Sequence, residues 1–265
     1  MKIAAIQMSS KMALSANLET ATKLIHDAVQ SGAELVLLPE YFYCMGQSDT
    51  DRVALAEPYL NGPIQDFLAQ TAKQHNIWLI AGSVPIASAQ PEKFYNTQLL
   101  FNPEGICQGR YDKVHLFAFG NEAESYRESD TMMAGDSIVD FTVDDLRIRP
   151  SICYDLRFPE FYRQQFGYQL ITAPAAFTYT TGKDHWELLL RTRAIENQCY
   201  LIAAAQTGEH ENGSRTFGHS MIIDPWGRIL SSLEEQQGFI LAEIEMHELD
   251  KIRTQLPALN NRIFS

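Results

Sequence analysis

Residues 34–40 read Glu34-Leu-Val-Leu-Leu-Pro-Glu40, and residues 146–153 read Leu146-Arg-Ile-Arg-Pro-Ser-Ile-Cys153. In each, a mostly apolar run of strand length stops at a reactive side chain. Residues 107–113, Cys107-Gln-Gly-Arg-Tyr-Asp-Lys113, end the same way at a lysine. Strand ends that feed loops and helices are where open α/β sheets build their sites. These three endings therefore set both the fold class and the candidate chemistry.

Working outward, more strands are expected at Lys2–Met8, Ile77–Val84, Tyr95–Phe101, Leu170–Ala173, Tyr200–Ala205, His219–Ile223 and Phe239–Ile244. Asn102-Pro-Glu-Gly105 is turn chemistry and pairs the third of these with Cys107–Tyr111. Helices are expected from an N-cap at Ser15 to a stop at Gly32, and from Gly62-Pro63 to His75. Others are expected at Glu160–Phe166, Asp184–Asn197 and His247–Leu256, with Trp186, Leu189, Leu190 and Ala194 on one face of the second. The stretch from Asp112 to Gly135 reads as a long irregular loop, more often functional than idle. No repeat or Gly/Ser/Pro linker divides the chain, so residues 1–265 read as one α/β domain.

The formal charge of −12 disfavours phosphate backbones and anionic lipid surfaces, so neither nucleic acid nor membrane is an expected partner. No run is long and apolar enough to span a bilayer, and the opening MKIAAIQMSS is too short and polar for an export signal. Cys44, Cys107, Cys153 and Cys199 are scattered, with neither CxxC nor zinc spacing. They read as free thiols in a cytoplasmic protein, and no metal or cofactor is expected.

The chemistry follows from the three residue types. A thiol becomes a strong nucleophile as thiolate, and a neighbouring ammonium or a following helix N-terminus lowers its pKa. Glu40 can act as general base toward Cys153 and later toward water. Lys113 and the backbone N–H of Tyr154 can stabilise the oxyanion formed when Cys153 attacks a carbonyl or nitrile carbon.

These segments resemble the signature motifs of the nitrilase (carbon–nitrogen hydrolase) superfamily: Leu-Leu-Pro-Glu40, Tyr-Asp-Lys113-Val-His-Leu-Phe and Ile-Cys153-Tyr-Asp-Leu-Arg-Phe-Pro-Glu. Ile3-Ala-Ala-Ile-Gln-Met8 and Gly218-His-Ser-Met-Ile-Ile-Asp-Pro-Trp-Gly227 extend the resemblance over essentially the whole chain. It implies an α-β-β-α sandwich, a homodimer or higher homo-oligomer, and a thioester acyl-enzyme on Cys153. It also implies a second, auxiliary glutamate between the lysine and the cysteine, for which Tyr126-Arg-Glu128-Ser offers Glu128. Ala175-Ala-Phe-Thr-Tyr-Thr-Thr-Gly182, the segment His185–Tyr200 and Ala203-Ala-Ala-Gln206 are most similar to the deaminated glutathione amidase branch. The implied substrate is deaminated glutathione, cleaved to 2-oxoglutarate and Cys-Gly. The omega-amidases, acting on 2-oxoglutaramate and 2-oxosuccinamate, are the alternative.

Blander readings apply elsewhere. Cys107 and Cys199 read as core residues and Cys44 as an idle thiol in a polar loop. His115 and His219 read as hydrogen-bonded structural histidines rather than partners of a Cys–His pair, and His185 as a residue packing or capping at a helix start. Arg157 is expected to pair with a carboxylate and hold its loop; with Phe177, it is also a candidate for substrate contact. Glu187, Arg191 and Arg193 read as packing or dimer residues. A catalytically silent scaffold and a thiol–disulfide enzyme are the readings from other classes. The intact Glu40–Lys113–Cys153 set argues against the first, and the absence of a cysteine near Cys153 in sequence against the second.

Overall fold

The computed structural model describes residues 1–120 and 125–263. The first part of the chain supplies β1 (Lys2–Gln7), α1 (Leu14–Gln30), β2 (Leu35–Leu37), α2 (Asp49–Ala54), α3 (Pro63–His75), β3 (Trp78–Ala87), β4 (Phe94–Phe101) and β5 (Cys107–Asp112). A connecting region follows, with β6 (Ala118–Gly120), β7 (Ser125–Arg127) and β8 (Met132–Met133). Next come β9 (Phe141–Val143), β10 (Leu146–Pro150), α4 (Pro159–Tyr162), β11 (Leu170–Thr172), α5 (Tyr179–Asn197) and β12 (Tyr200–Ala203). The rest is β13 (Thr207–Glu209), β14 (Arg215–Phe217), β15 (Met221–Ile223), β16 (Ile229–Ser232), β17 (Gly238–Glu243) and α6 (Met246–Gln255).

Two sheets organise these strands, in the orders β17-β1-β2-β3-β4-β5 and β16-β15-β12-β11-β10-β9, with β8 added beside β4. Each has three parallel strands at its centre, β1-β2-β3 and β10-β11-β12, flanked by antiparallel ones. Parallel strands covered on both faces need continuous apolar runs, which is why Leu35-Val-Leu and Tyr200-Leu-Ile-Ala carry no polar alternation.

Side chains of the first sheet alternate between two cores. Ile3, Ala5, Leu35, Leu37, Ile80 and Leu100 point toward the second sheet, where they join Ile148, Leu170 and Ile202. Ala4, Ile6, Val36, Leu79 and Leu99 point the other way, onto Ile25 and Ala28 of α1 and Leu68 and Ala72 of α3. The outer face of the second sheet takes Trp186, Leu190 and Ala194 of α5. The result is the expected α-β-β-α sandwich. No helix among the described residues is long and apolar enough to cross a membrane.

Several boundaries differ from the expectation. The residue before α1 is Ala13 and Ser15 lies inside the helix, with no side-chain cap. α5 starts at Tyr179 rather than Asp184, because the Thr178 hydroxyl accepts from the Thr181 N–H and caps it there. The helix expected over Glu160–Phe166 is only the four residues of α4. In the stretch read as irregular loop, β6 pairs antiparallel with β7 and Glu128–Asp130 forms a 3₁₀ turn.

Candidate active site

Glu40 lies just beyond β2, Lys113 directly beyond β5 and Cys153 beyond β10. Folding brings the three together with Glu128; Glu40, Glu128 and Cys153 line a cavity of about 590 Å³, with Lys113 buried behind the two carboxylates. That volume lies within the usual range for small-molecule sites.

Lys113 is completely buried. Its Nζ donates to Glu40 Oε1 at 3.0 Å and to Glu128 Oε1 at 2.9 Å. Burial by itself would push the ammonium down, but the carboxylates of Glu128 and Glu40 hold it above its ordinary value. The lysine is therefore fixed as a cation. Glu40 is satisfied on both oxygens: Oε1 also accepts from Asn96 Nδ2 at 2.9 Å, and Oε2 from the Ala176 N–H at 2.8 Å. Glu128 Oε2 accepts from the Phe117 N–H at 2.6 Å, which fastens the connecting region to the site.

Cys153 has φ of +48°, a left-handed conformation that non-glycine residues adopt at some cost. The strand thus breaks sharply at the sulfur-bearing residue, and the Cys153 N–H is held by the Pro174 carbonyl at 2.9 Å. Burial pushes the thiol well above its ordinary pKa, and Glu40 pushes the same way against the pull of Lys113. This corrects the expectation of a lowered pKa. The segment after Cys153 is a 3₁₀ turn (Cys153–Arg157) and not the start of an α-helix.

Three polar anchors hold that turn. Asp155, fully buried, accepts from the Ile152 N–H at 2.8 Å and the Tyr111 hydroxyl at 2.7 Å. It also accepts from the His115 N–H at 3.1 Å, and the His115 ring meets it through Nδ1 at 2.7 Å. On the far side, Arg193 Nε of α5 donates to the Leu156 carbonyl at 2.9 Å. His115, stacked on Phe158, and His219, stacked on Phe217 with Nδ1 against the Phe217 carbonyl, are structural as read.

Tyr154, Arg157 and Phe177 all line the cavity. Arg157 does not meet a carboxylate among the described residues. Its guanidinium lies against the Tyr154 and Phe177 rings and within 3.3 Å of His185 Nδ1. His185 thus contacts Arg157 from the second turn of α5 instead of opening that helix.

Sequence reading missed other wall residues, among them Tyr41, Arg52, Thr178 and Asn212. Tyr41, at φ +56°, donates from its hydroxyl to Glu128 Oε1 at 2.8 Å, and the Arg52 guanidinium lies 4.2 Å above its ring. The adjacency of Tyr41 to Glu40 was the only available signal for it. Cys44 is buried, with its thiol against the Met12 carbonyl, and Cys107 is only partly buried. Among the described residues no group of three or more His, Cys, Asp or Glu side chains is placed to hold a metal.

Comparison with known proteins agrees with this fold. The chain is 44% identical over 267 residues to a deaminated glutathione amidase of Synechocystis, covering 98% of this chain and 97% of that one. The NitFhit protein of Caenorhabditis elegans superposes with a TM-score of 0.92 at 36% identity, over 99% of this chain and 65% of that longer one. Nit3 of Saccharomyces cerevisiae, a member of branch 10 of the nitrilase superfamily, gives 0.89 at 30% identity, over 100% and 97%. The carbon-nitrogen hydrolase family profile matches residues 2–254, and the chain belongs to that family.

Proposed function

We propose that this hydrolase is a cysteine-dependent amidase that cleaves deaminated glutathione to 2-oxoglutarate and Cys-Gly, with residues 1–265 acting as one catalytic domain. The observation that carries the proposal is the buried Lys113 ammonium shared by Glu40 and Glu128 beside Cys153, with the two carboxylates and the cysteine lining a cavity. The identity to relatives named deaminated glutathione amidase supports the substrate.

The raised thiol pKa makes Cys153 a resting thiol. As Cys153 Sγ forms its bond to the amide carbon, the thiol proton passes to Glu40. The carbonyl oxygen becomes an oxyanion that accepts from Lys113 Nζ and the Tyr154 N–H. Collapse breaks the C–N bond, and Glu40 returns the proton to the departing nitrogen. Glu40 then takes a proton from water as it attacks the thioester, and the acid leaves with the thiol restored. Glu128 keeps Lys113 in place throughout. Arg157 receives a substrate carboxylate, and Phe177 forms the wall beside it.

Deaminated glutathione and 2-oxoglutaramate deliver the same 2-oxoglutaryl group to Cys153 and differ only in what departs, Cys-Gly or ammonia. A cavity of about 590 Å³ has room for the dipeptide, which favours the larger substrate. Omega-amidase activity is the second reading. Purified protein given each substrate while 2-oxoglutarate is followed tests the choice: kcat/KM is expected to be higher for deaminated glutathione. A wide margin for 2-oxoglutaramate would reverse it, and inertness toward both would favour a silent scaffold.

A homodimer is also proposed. Leu188 and Ile195, seven residues apart on α5, are exposed, and Ile195 adjoins the turn that carries exposed Trp226. The four free thiols fit the cytoplasm.

A further inference from the structure

The site's polar side chains close into a ring. Lys113 Nζ donates to both Glu40 and Glu128 on one side. On the other, Asn96 Nδ2 donates to Glu40 Oε1 at 2.9 Å and to the Tyr41 hydroxyl at 3.3 Å, and that hydroxyl donates to Glu128 Oε1 at 2.8 Å. Every hydrogen bond in the ring therefore runs toward one carboxylate or the other. Asn96 and Lys113 are locked together by the backbone as well, the Lys113 N–H donating to the Asn96 carbonyl at 2.9 Å. Asn96, Glu40 and Lys113 are almost wholly buried, which strengthens these bonds. Asn96 Oδ1 is buried without a hydrogen-bond partner among the described residues, so the amide spends its donors on the ring and leaves its acceptor unused.

We infer that Tyr41 and Asn96 are positioning residues that set how Lys113 is divided between Glu40 and Glu128, and through them the ease with which Cys153 loses its proton. The inference deepens the proposed mechanism and rests on that reading of Cys153. With two carboxylates and one ammonium, the Glu40–Glu128–Lys113 group carries a charge of −1, and ionisation of Cys153 makes it −2. Donors aimed at the carboxylates stabilise the more negative state more. The Tyr41 hydroxyl also shares the charge on Glu128, which leaves Lys113 free to lean toward Glu40 and the sulfur. Without that hydroxyl, Glu128 draws the ammonium toward itself. The charged groups facing the ring are Glu40, Glu128, Lys113 and Cys153 within the site, and Arg52 and Asp49 from the α2 side of Tyr41. Arg52, paired with Asp49, stays cationic across the working range and adds a fixed field rather than a titration.

The test is the pH dependence of Cys153 alkylation by iodoacetamide in the full-length protein, read by mass spectrometry on the Cys153 peptide. Four proteins are compared: wild type, Y41F, E128Q and Y41F/E128Q. Removing one hydrogen bond to a buried charge is expected to move the Y41F midpoint up by about one pH unit, a roughly tenfold slower reaction at fixed pH. Because Tyr41 acts through Glu128, the added shift in the E128Q background should fall to less than about a third of that. A merely structural tyrosine would lower the melting temperature of Y41F and leave the midpoint in place. That result, or an equal shift in both backgrounds, overturns the inference. Alkylation needs no amide, so inertness toward deaminated glutathione would defeat the proposed substrate and leave this result standing. Active wild type with an unmoved Y41F midpoint would do the reverse.

Discussion

The Tyr111 hydroxyl donates to Asp155 Oδ2 at 2.7 Å, and this bond ties the strand end that carries Lys113 to the turn that carries Cys153. Tyr111 lies two residues before Lys113 and Asp155 two residues after Cys153, so the distance between ammonium and sulfur depends on it. Asp155→Ala strands the Tyr111 hydroxyl and the Ile152 and His115 N–H groups in a buried space. Loss of a buried charged partner of this kind costs about 3 kcal/mol or more. A drop of that size in urea unfolding, with hydrolysis lost, is expected, and Asp155→Asn should retain part of both. Unchanged stability in Asp155→Ala would show that the two strand ends are set by other contacts.

Gly82 of β3 passes so close to the end of β2 that a Cβ there would lie 2.0 Å from the Leu38 carbonyl oxygen and 2.3 Å from that of Pro39. Backbone atoms cannot yield as a side-chain tip can. Gly82→Ala therefore has to push the Leu38–Glu40 segment aside. It is expected to cost about 1–3 kcal/mol and to lower kcat although no site side chain is altered. Wild-type kcat in a folded Gly82→Ala protein would mean that Glu40 tolerates displacement.

Stability should fall on the alkaline side. Burial pushes the thiols of Cys44, Cys153 and Cys199 upward, while unfolded thiols ionise near pH 8.5. Below that value both states hold the proton and no difference arises. Above it the unfolded chain releases protons that the folded chain keeps, so unfolding becomes easier. The Lys113 ion pairs act in the same sense, being complete below the ordinary lysine value and lost as pH rises through the raised one. Thermal unfolding from pH 7 to 10 should give a melting temperature level at first and declining beyond about pH 8.5. A rise over that upper range would contradict the burial of these groups.

Arg157 is the proposed contact for the substrate carboxylate, apart from the reacting groups. Among the described residues it meets aromatic rings and His185 but no carboxylate, and it lines the cavity. Arg157→Leu keeps the aromatic packing and removes the charge. KM for deaminated glutathione is expected to rise by about tenfold to a hundredfold, as for loss of one charge-assisted hydrogen bond, with a smaller change in kcat. An unchanged KM would move carboxylate recognition to another cavity residue.

The legible parts of this fold are those written in continuous runs. Leu35-Val-Leu and the run ending at Cys153 announce buried parallel strands, and the residues at their ends announce the site. The three-residue strands β6, β7, β9, β13 and β14 are too short to show a period, so pairing across sequence defines them. Asn96 sits inside a buried strand beside Thr97 and Gln98, and its partner Glu40 is 56 residues away. The resting state of Cys153 was misread for a related reason. Sequence suggests a lysine and a following helix N-terminus near the thiol, but only the folded chain shows a 3₁₀ turn there, with burial and Glu40 outweighing the lysine.

The central claim is that Cys153 carries the acyl group. Rapid quenching of the enzyme with deaminated glutathione, followed by mass spectrometry of the intact chain and its peptides, tests it most directly. The account predicts a transient 2-oxoglutaryl increment confined to the Cys153 peptide, absent in Cys153→Ala, which should fold and release no 2-oxoglutarate. An increment on another residue, or turnover that survives in Cys153→Ala, would contradict it.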